Sequence, residues 1–317
     1  MVRKFKIPYN YDYENFTEVL VPLYRDHIDS IYLGPPAVLG SSARPMSKPI
    51  TMDSLTKILN FCSKEGIGSY LTLNGEFTPL NTYTSEYASK VASVVKALEG
   101  SLSGIICTNM YLPKLAMLKE YAPDIKIIAS VNSLIMDYDR AKAFIDIAGV
   151  DGFIWDRSLN RDPESLATLN TKLKEDYPKI LTQSMLNEGC LLNCPYKKAH
   201  DQAISALTYV DDEYYEYLHA LGFKYPEMCN NAGNVNYNYG CRQAIKSNPD
   251  LVKTIPDVAP IDLVKYANCA DLFKISGRTQ STDWLMNCLS AYIAGVEPST
   301  LKFSDSGLKK ISAGLEH

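Results

Sequence analysis

Residues 52–74 read MDSLTKILNFCSKEGIGSYLTLN, and this stretch decides the fold because it joins a helix pattern to a strand pattern. In its first part, four apolar side chains recur at the spacing of one helix face: Leu55, Ile58, Leu59 and Cys62. Its last part, SYLTLN at residues 69–74, is a short run of the kind that forms a buried strand. The stretch therefore predicts one helix followed by one strand.

The same alternation runs along most of the chain. Helical patterns include residues 85–100, with Ser85 expected as the cap, and residues 137–149. Strands alternating with helices imply a parallel sheet covered by helices, and about eight such units fit a barrel better than an open sheet. We predict an α/β fold, a TIM-like (β/α)8 barrel, as the single domain of residues 1–314, and take 315–317 as a tag remnant. The further predicted strands are 3–8, 30–34, 104–108, 125–130, 152–156, 179–184 and 271–276.

The composition narrows the class of protein. The chain has 46% hydrophobic residues and a net charge of -4, which argues against a general nucleic-acid scaffold. No apolar run is long enough for a membrane helix, and the first residues lack the apolar centre of a signal peptide. We therefore expect a cytoplasmic protein. In its reducing surroundings, clustered cysteines more often bind metal or do chemistry than form disulfides.

Residues 190–260 break the strand and helix rhythm and form an insertion after the seventh predicted strand. Active sites of such barrels are built from the loops that follow the strands, so we expect this insertion to cover the barrel mouth. Four of the eight cysteines of the chain lie in it: Cys190, Cys194, Cys229 and Cys241.

Four thiolates are the usual ligands of a [4Fe-4S] cluster and of an all-cysteine zinc site. The spacing of the first pair, C-x3-C, suits a zinc knuckle, whereas that of the second pair, C-x11-C, does not. A cluster tolerates wider spacing because it is larger than one ion. The spacing alone leaves the cluster, zinc and coincidence open.

Residues 261–295 read IDLVKYANCADLFKISGRTQSTDWLMNCLSAYIAG and resemble the peptidase U32 family. Members carry a strand ending in K-I-x-G-R, then a Ser-x-Glu/Asp-aromatic helix start and an Ala-Tyr pair near the helix end. Here these are KISGR at 274–278, STDW at 281–284 and AY at 291–292. The segment IYLGPPAVLGSSARP at 31–45 also resembles the family, and the resemblance extends over nearly the whole chain.

The resemblance implies a TIM-like core and a [4Fe-4S] cluster, which several members hold through four cysteines near the barrel mouth. It thus implies a cluster on the four cysteines of the insertion, although the usual first pair is C-x6-C and here it is C-x3-C. The better understood relatives hydroxylate ubiquinone precursors or RNA bases without oxygen, and some short members work as heterodimers. The resemblance therefore also implies, as one alternative, that this chain works together with a homologous partner subunit.

Polar residues at the ends of the predicted strands are the other candidates, since strand ends face a barrel active site. Lys274 and Arg278 end the last strand, and we predict that they are catalytic and bind an anionic group, because a guanidinium pairs with carboxylate or phosphate through two hydrogen bonds. Arg44 is assigned to the substrate by the resemblance. Structural ion pairs are the alternative for these cations.

Asn74, Asn132 and Asp156 follow the third, fifth and sixth predicted strands, and we predict that together they line a substrate pocket. Helix caps or Asx turns are the alternative for each. Glu188 lies just before the first clustered cysteine and is predicted to be a catalytic acid or base, with a solvated carboxylate as the alternative. His200 lies in the insertion and is a fourth-ligand alternative if one cysteine is not used, but we expect it at the surface.

These observations predict an iron–sulfur enzyme of the U32 type that modifies a small molecule or peptide by oxygen-independent hydroxylation or a related redox step. A hydrolase, a peptidase in the older sense, with zinc or no metal, is the first alternative. The chain has no HExxH sequence, the motif of a common class of metallopeptidases. A non-catalytic accessory subunit of a heterodimer is the second alternative.

Overall fold

The protein folds as a closed barrel of eight parallel strands in chain order, with β8 paired to β1. A computed structural model describes residues 3–44, 50–187, 189–206, 208, 220, 235 and 238–296. Each of the eight predicted strands is present at its predicted place, so the TIM-like barrel is confirmed. The strands are β1 (Phe5–Pro8), β2 (Ile28–Leu33), β3 (Gly68–Leu73), β4 (Gly104–Cys107), β5 (Lys126–Ala129), β6 (Gly152–Ile154), β7 (Leu181–Met185) and β8 (Leu272–Lys274).

Helices cover the outside of the barrel. The α-helices described are α1 (Tyr13–Asn15), α2 (Val21–Tyr24), α3 (Met52–Lys64), α4 (Ser85–Ala97), α5 (Tyr111–Leu115), α6 (Leu118–Tyr121), α7 (Tyr138–Ala143), α8 (Pro163–Asp176), α9 (Lys197–Ala206), α10 (Cys241–Ser247) and α11 (Thr282–Ala294). Two π-helical segments, Phe16–Leu20 and Phe144–Ala148, continue α1 and α7. Short 3-10 turns lie at Arg25–His27, Ala37–Leu39, Leu80–Tyr83, Val131–Ser133, Arg157–Arg161, Pro249–Thr254 and Pro260–Tyr266.

The helix of the quoted stretch forms as predicted. The four residues of its apolar face are fully buried against the barrel, and Thr51 caps its first turn by accepting a hydrogen bond from the Ser54 backbone N–H. In α4 the prediction is wrong by one residue: the cap is Thr84, whose side chain accepts from the Tyr87 N–H, and Ser85 is already helical. No helix within the described ranges is both long and apolar enough to cross a membrane.

The barrel strands are buried on both faces, as in other parallel sheets. Their outward side chains join the helices in the large core. The inward side chains form a second, smaller cluster inside the barrel: Tyr32, Tyr70, Ile106, Ile128, Val131, Ile154 and Met185. This inner cluster fills the interior of the barrel.

One inward position is a lysine, which the sequence did not predict. Lys6 of β1 is 0% exposed, and its Nζ lies 3.4 Å from the centroid of the Tyr70 ring. In the described part of the chain this Nζ has no hydrogen-bond partner. Burial, and then the neighbouring Lys274 that pairs with it across β1 and β8, lowers the pKa of Lys6 well below its ordinary value.

The predicted insertion lies between β7 and β8, and α9 and α10 are helices within it. The start of the insertion is tied to the residues that follow β8, beside the barrel mouth. The Asn187 side-chain amide donates to the Ser276 carbonyl (2.9 Å), and Asn187 Oδ1 accepts from the Ser276 N–H (2.6 Å). This reciprocal pair fixes the chain where it leaves β7 to the chain where it leaves β8.

Candidate active site at the barrel mouth

A cavity of about 500 Å³ opens at the carboxyl ends of the strands, where barrel active sites form. Its walls come from the strand ends and from the described parts of the insertion. Most of the residues predicted from the sequence meet there: Arg44, Asn74, Asn132, Cys190, Cys194, Cys241, Lys274 and Arg278. The structure therefore brings together side chains from residues more than two hundred positions apart in the chain.

Lys274 is the last residue of β8 and points into the cavity. It is 4% exposed, and its Nζ lies 3.9 Å from the centroid of the Tyr32 ring. The Tyr32 hydroxyl donates to the Ile275 carbonyl (3.0 Å), which fixes the ring beneath the amine. Burial, followed by the charge of Arg278, lowers the pKa of Lys274 to about 7.

Arg278 lies just beyond β8 and is held by two hydroxyl groups. Its Nη1 donates to Thr72 Oγ1 (2.5 Å) and its Nη2 donates to Ser42 Oγ (2.8 Å). Its Nε is buried and has no hydrogen-bond partner among the described residues. Burial lowers the pKa of Arg278, because this cation is poorly solvated. The guanidinium is thus fixed in orientation while no described carboxylate forms an ion pair with it.

Arg44 belongs to an ion-pair group at the edge of the cavity. Its Nη1 lies 3.3 Å from Asp201 Oδ1, and Lys197 pairs with the other carboxylate oxygen. Burial of Asp201 opposes ionisation, but Lys197 and Arg44 outweigh it and hold the pKa of this carboxyl below its ordinary value. Arg44 therefore carries a structural ion pair in addition to lining the cavity, where its side chain is 42% exposed.

Asn74 and Asn132 form a hydrogen-bonded chain along the rim. Asn74 Oδ1 accepts from the Ala43 N–H (3.3 Å), and the Asn74 carbonyl accepts from Asn132 Nδ2 (3.3 Å). Asn132 Oδ1 in turn accepts from Arg157 Nη2 (3.3 Å). These amides line the cavity and also hold Arg157 at its wall.

Asp156 is not among the described residues that line the cavity. It is buried and caps the 3-10 turn that follows β6: its Oδ1 accepts from the Ser158 N–H (2.9 Å) and from Ser158 Oγ (2.6 Å). The helix-cap alternative accounts for these contacts. Its chain neighbour Arg157 is the residue that reaches the cavity.

Because Asp156 caps this turn and does not line the cavity, replacing it is expected to reduce the stability of the fold. Asp156→Ala is expected to lower the free energy of unfolding by about 1 kcal/mol, because the Ser158 N–H loses its acceptor. Asp156→Asn keeps an acceptor oxygen and is expected to retain most of that stability. Urea unfolding of both variants measures this, and equal losses in the two would exclude the cap as the source.

Three of the four clustered cysteines line the cavity: Cys190, Cys194 and Cys241. Cys241 begins α10, and Cys194 lies shortly before α9, so both flank helices of the insertion. Cys229 and Glu188, the other two residues predicted in this region, lie outside the described residues. Among the residues the structure describes, no three His, Cys, Asp or Glu side chains are grouped so as to hold a single metal ion.

Several residues that line the cavity were not predicted from the sequence. Arg157 and Arg242 each directly follow a residue that was singled out, Asp156 and Cys241, and this adjacency was the available signal. His200 was expected at the surface but is partly buried and lines the cavity. Burial, followed by neighbouring cations, lowers its pKa despite the opposing effect of the nearby Asp201.

The charge of the cavity wall is strongly positive. Six described lining residues are lysines or arginines: Arg44, Arg157, Lys197, Arg242, Lys274 and Arg278. Asp257 is the one acidic side chain among the described lining residues. A low-dielectric cleft with this imbalance attracts anions, although the chain as a whole carries a net charge of -4.

Comparison with known proteins agrees with this architecture. The chain is similar to uncharacterized protease MJ1657 of Methanocaldococcus jannaschii, with 25% identity over 264 residues. The aligned residues make up 83% of this chain and 71% of that protein. It is similar in fold to the structure of the U32 peptidase Mk0906, with a TM-score of 0.54, 12% identity, and coverage of 87% of this chain and 93% of that one. At that identity the second likeness shows the fold alone. No family model matches the chain.

A parallel barrel with its candidate site at the strand ends defines the class: a TIM-like barrel protein. Its fold is that of a U32 peptidase, and the KISGR motif at the end of β8, on which the resemblance to the peptidase U32 family was based, lies at the mouth of this barrel.

Proposed function

We propose that this chain is an iron–sulfur enzyme of the U32 type that modifies an anionic small molecule or peptide, by oxygen-independent hydroxylation or a related redox step. One observation carries the proposal: Cys190, Cys194 and Cys241 line the same cavity as Lys274 and Arg278. Ligands for a redox group and cations for a substrate are thus brought to one space. The cavity of about 500 Å³ is of the size that takes a small ligand.

The anionic substrate follows from the unbalanced charge of the wall. A buried guanidinium without a carboxylate partner is costly, and an anion that pairs with it recovers part of that cost. Arg278 has fixed terminal nitrogens and an unpaired Nε. Arg278, with Arg44 at the edge, would orient a carboxylate or phosphate group, and the amides of Asn74 and Asn132 would contact its neutral part.

We propose that Cys190, Cys194, Cys241 and Cys229 hold a [4Fe-4S] cluster, and the cavity position of the first three supports this. Four thiolates are the usual ligands of such a cluster, and three of the four cysteines line this cavity. Such a cluster supplies one-electron redox chemistry when bound. Zinc held with the help of Cys229 is the alternative.

The first test is anaerobic purification with iron, sulfide and zinc analysis of the wild type, Cys190→Ala and Cys62→Ala. We expect a broad absorption band at roughly 400 nm and about four irons per chain in the wild type, lost on Cys190→Ala. Cys62→Ala is the matched control, because Cys62 is a fully buried residue of the α3 core face. Stoichiometric zinc, or no metal under strictly anaerobic handling, would overturn the proposal.

A peptidase is the second candidate, because the sequence relative is called a protease. Hydrolysis of a protein or peptide mixture by the purified chain, with and without iron, separates the two candidates. Peptide cleavage that persists without iron and in Cys190→Ala supports the hydrolase. A chain that carries iron but has no activity alone, and gains it with a homologous subunit, supports the accessory role instead.

A further inference from the structure

The amine of Lys274 is placed as a nucleophile rather than as an ion-pair partner. Its Nζ faces the cavity from the end of β8 and is seated on the Tyr32 ring at 3.9 Å. Among the described residues no carboxylate forms an ion pair with it, whereas the lysine just outside the barrel in the same region, Lys197, pairs with Asp201. A buried lysine that has another cation beside it and no carboxylate in an ion pair loses its proton readily.

The electrostatics agree with this geometry. Burial and the adjacent guanidinium of Arg278 bring the pKa of Lys274 to about 7, so near neutral pH a large fraction of the side chain is a free amine. An exposed lysine with a pKa of about 10.4 has only a very small neutral fraction at that pH. A desolvated lysine beside another cation is a known way to activate the amine as a nucleophile towards carbonyl groups.

Arg278 supplies the second half of a binding site. It lies four residues beyond Lys274, its two terminal nitrogens are oriented by Thr72 and Ser42, and its Nε has no described partner. Both side chains line the same cavity. A ligand whose anionic group lies on the guanidinium therefore brings its remaining atoms near the amine.

We propose that Lys274 forms a Schiff base with an aldehyde or ketone that carries an anionic group, with Arg278 holding that group. The Nζ lone pair adds to the carbonyl carbon, and the carbonyl oxygen takes up a proton. Loss of that oxygen as water and of the remaining proton from nitrogen gives the C=N bond. The step needs no oxidant or reductant. It deepens the proposed function by naming a substrate class for the same cavity, but it requires no cluster.

The test uses glyoxylate, a small anionic aldehyde, with borohydride to reduce any C=N bond, followed by peptide mass spectrometry. We expect Lys274 to be labelled at pH 7 at least about tenfold faster than Lys4, an exposed lysine near the start of β1. Labelling of Lys274 is expected to rise with pH to half its maximum near pH 7, as the neutral fraction increases. Lys274→Arg keeps the charge and is expected to lose this fast labelling.

The role of Arg278 is tested with propanal, an uncharged aldehyde, on the wild type and on Arg278→Met. The wild type is expected to prefer glyoxylate, and the variant is expected to lose that preference. Labelling of Lys274 no faster than that of Lys4, or only above about pH 9 as for an ordinary lysine, would overturn the inference. Because this experiment runs on iron-free protein, its failure leaves the iron analysis of the proposed function unaffected, and the reverse also holds.

Discussion

Gly277→Ala is expected to destabilise the protein by about 2 to 6 kcal/mol, since it combines backbone strain with a steric clash, each costing roughly 1 to 3 kcal/mol. Gly277 has a φ of +131°, which side chains rarely adopt, and a Cβ there would lie 2.3 Å from Cζ3 of Trp284. The residue sits between Lys274 and Arg278 in the chain. The same change is therefore expected to displace the guanidinium and weaken anion binding.

Two further variants separate the cost of the backbone strain from the cost of the steric clash at Gly277. Gly149 also has a positive φ, +72°, but nothing lies within 4 Å of a Cβ built there, so Gly149→Ala is expected to cost only about 1 kcal/mol. Adding Trp284→Leu to Gly277→Ala is expected to recover part of the loss. Equal losses at both glycines in urea unfolding, with no recovery in the double variant, would contradict the clash.

Lys6→Met is expected to stabilise the protein by about 1 to 3 kcal/mol at neutral pH, the usual cost of an unsatisfied buried polar group. Lys6 is fully buried, its Nζ has no hydrogen-bond partner in the described part of the chain, and its one described contact of note is the Tyr70 ring. Methionine has a similar length and keeps the packing while removing the amine. Lys4→Met, at an exposed position of the same segment, is the matched control and is expected to change little.

The stability gained by Lys6→Met is expected to decrease as the pH rises. Burial holds the folded-state pKa of Lys6 well below the unfolded value of about 10.4, so between the two values the unfolded chain binds more protons. Wild-type stability therefore rises with pH over that window. The part of the variant's advantage that comes from the charge should be full below the folded-state pKa and should be lost as the pH approaches about 10.4, which leaves the part that comes from the unsatisfied neutral amine. A variant that is less stable at every pH would show that the amine is well satisfied.

Most of the fold was predictable because the strands are short apolar runs between helix patterns of regular spacing. Lys6 was not, for a physical reason. Alternation of Phe5, Lys6 and Ile7 normally indicates a strand whose charged side chain faces water, but both faces of β1 are buried in the closed barrel. The sequence of one strand does not reveal that its polar face lies inside a closed sheet.

The site was predictable to the extent that it lies at strand ends. Lys274, Arg278, Asn74 and Asn132 are polar residues that follow apolar strands, and barrel geometry brings such positions together. His200 had no such signal, because it comes from a helix of the insertion whose placement depends on contacts distant in sequence. Asp156 had the signal but serves as a cap, since polar residues after strands are also the residues that begin helical turns.

The connection between β7 and β8 bears on how the sequence of this barrel can change without loss of its fold. It runs from residue 186 to residue 271, about four times the length of the β5 to β6 connection at 130–151. Closing a loop costs only about 0.6 kcal/mol more for each doubling of its length. This long segment therefore lowers the free energy of unfolding by roughly 1 kcal/mol relative to a connection of the β5 to β6 length. Because the Asn187 and Ser276 pair joins the residues after β7 directly to the residues after β8, the part of the segment that does not pack in the core can change length or sequence while these two strand ends stay together. Under the proposed function, a change in this one segment would alter the substrate preference while Lys274 and Arg278 stay in place.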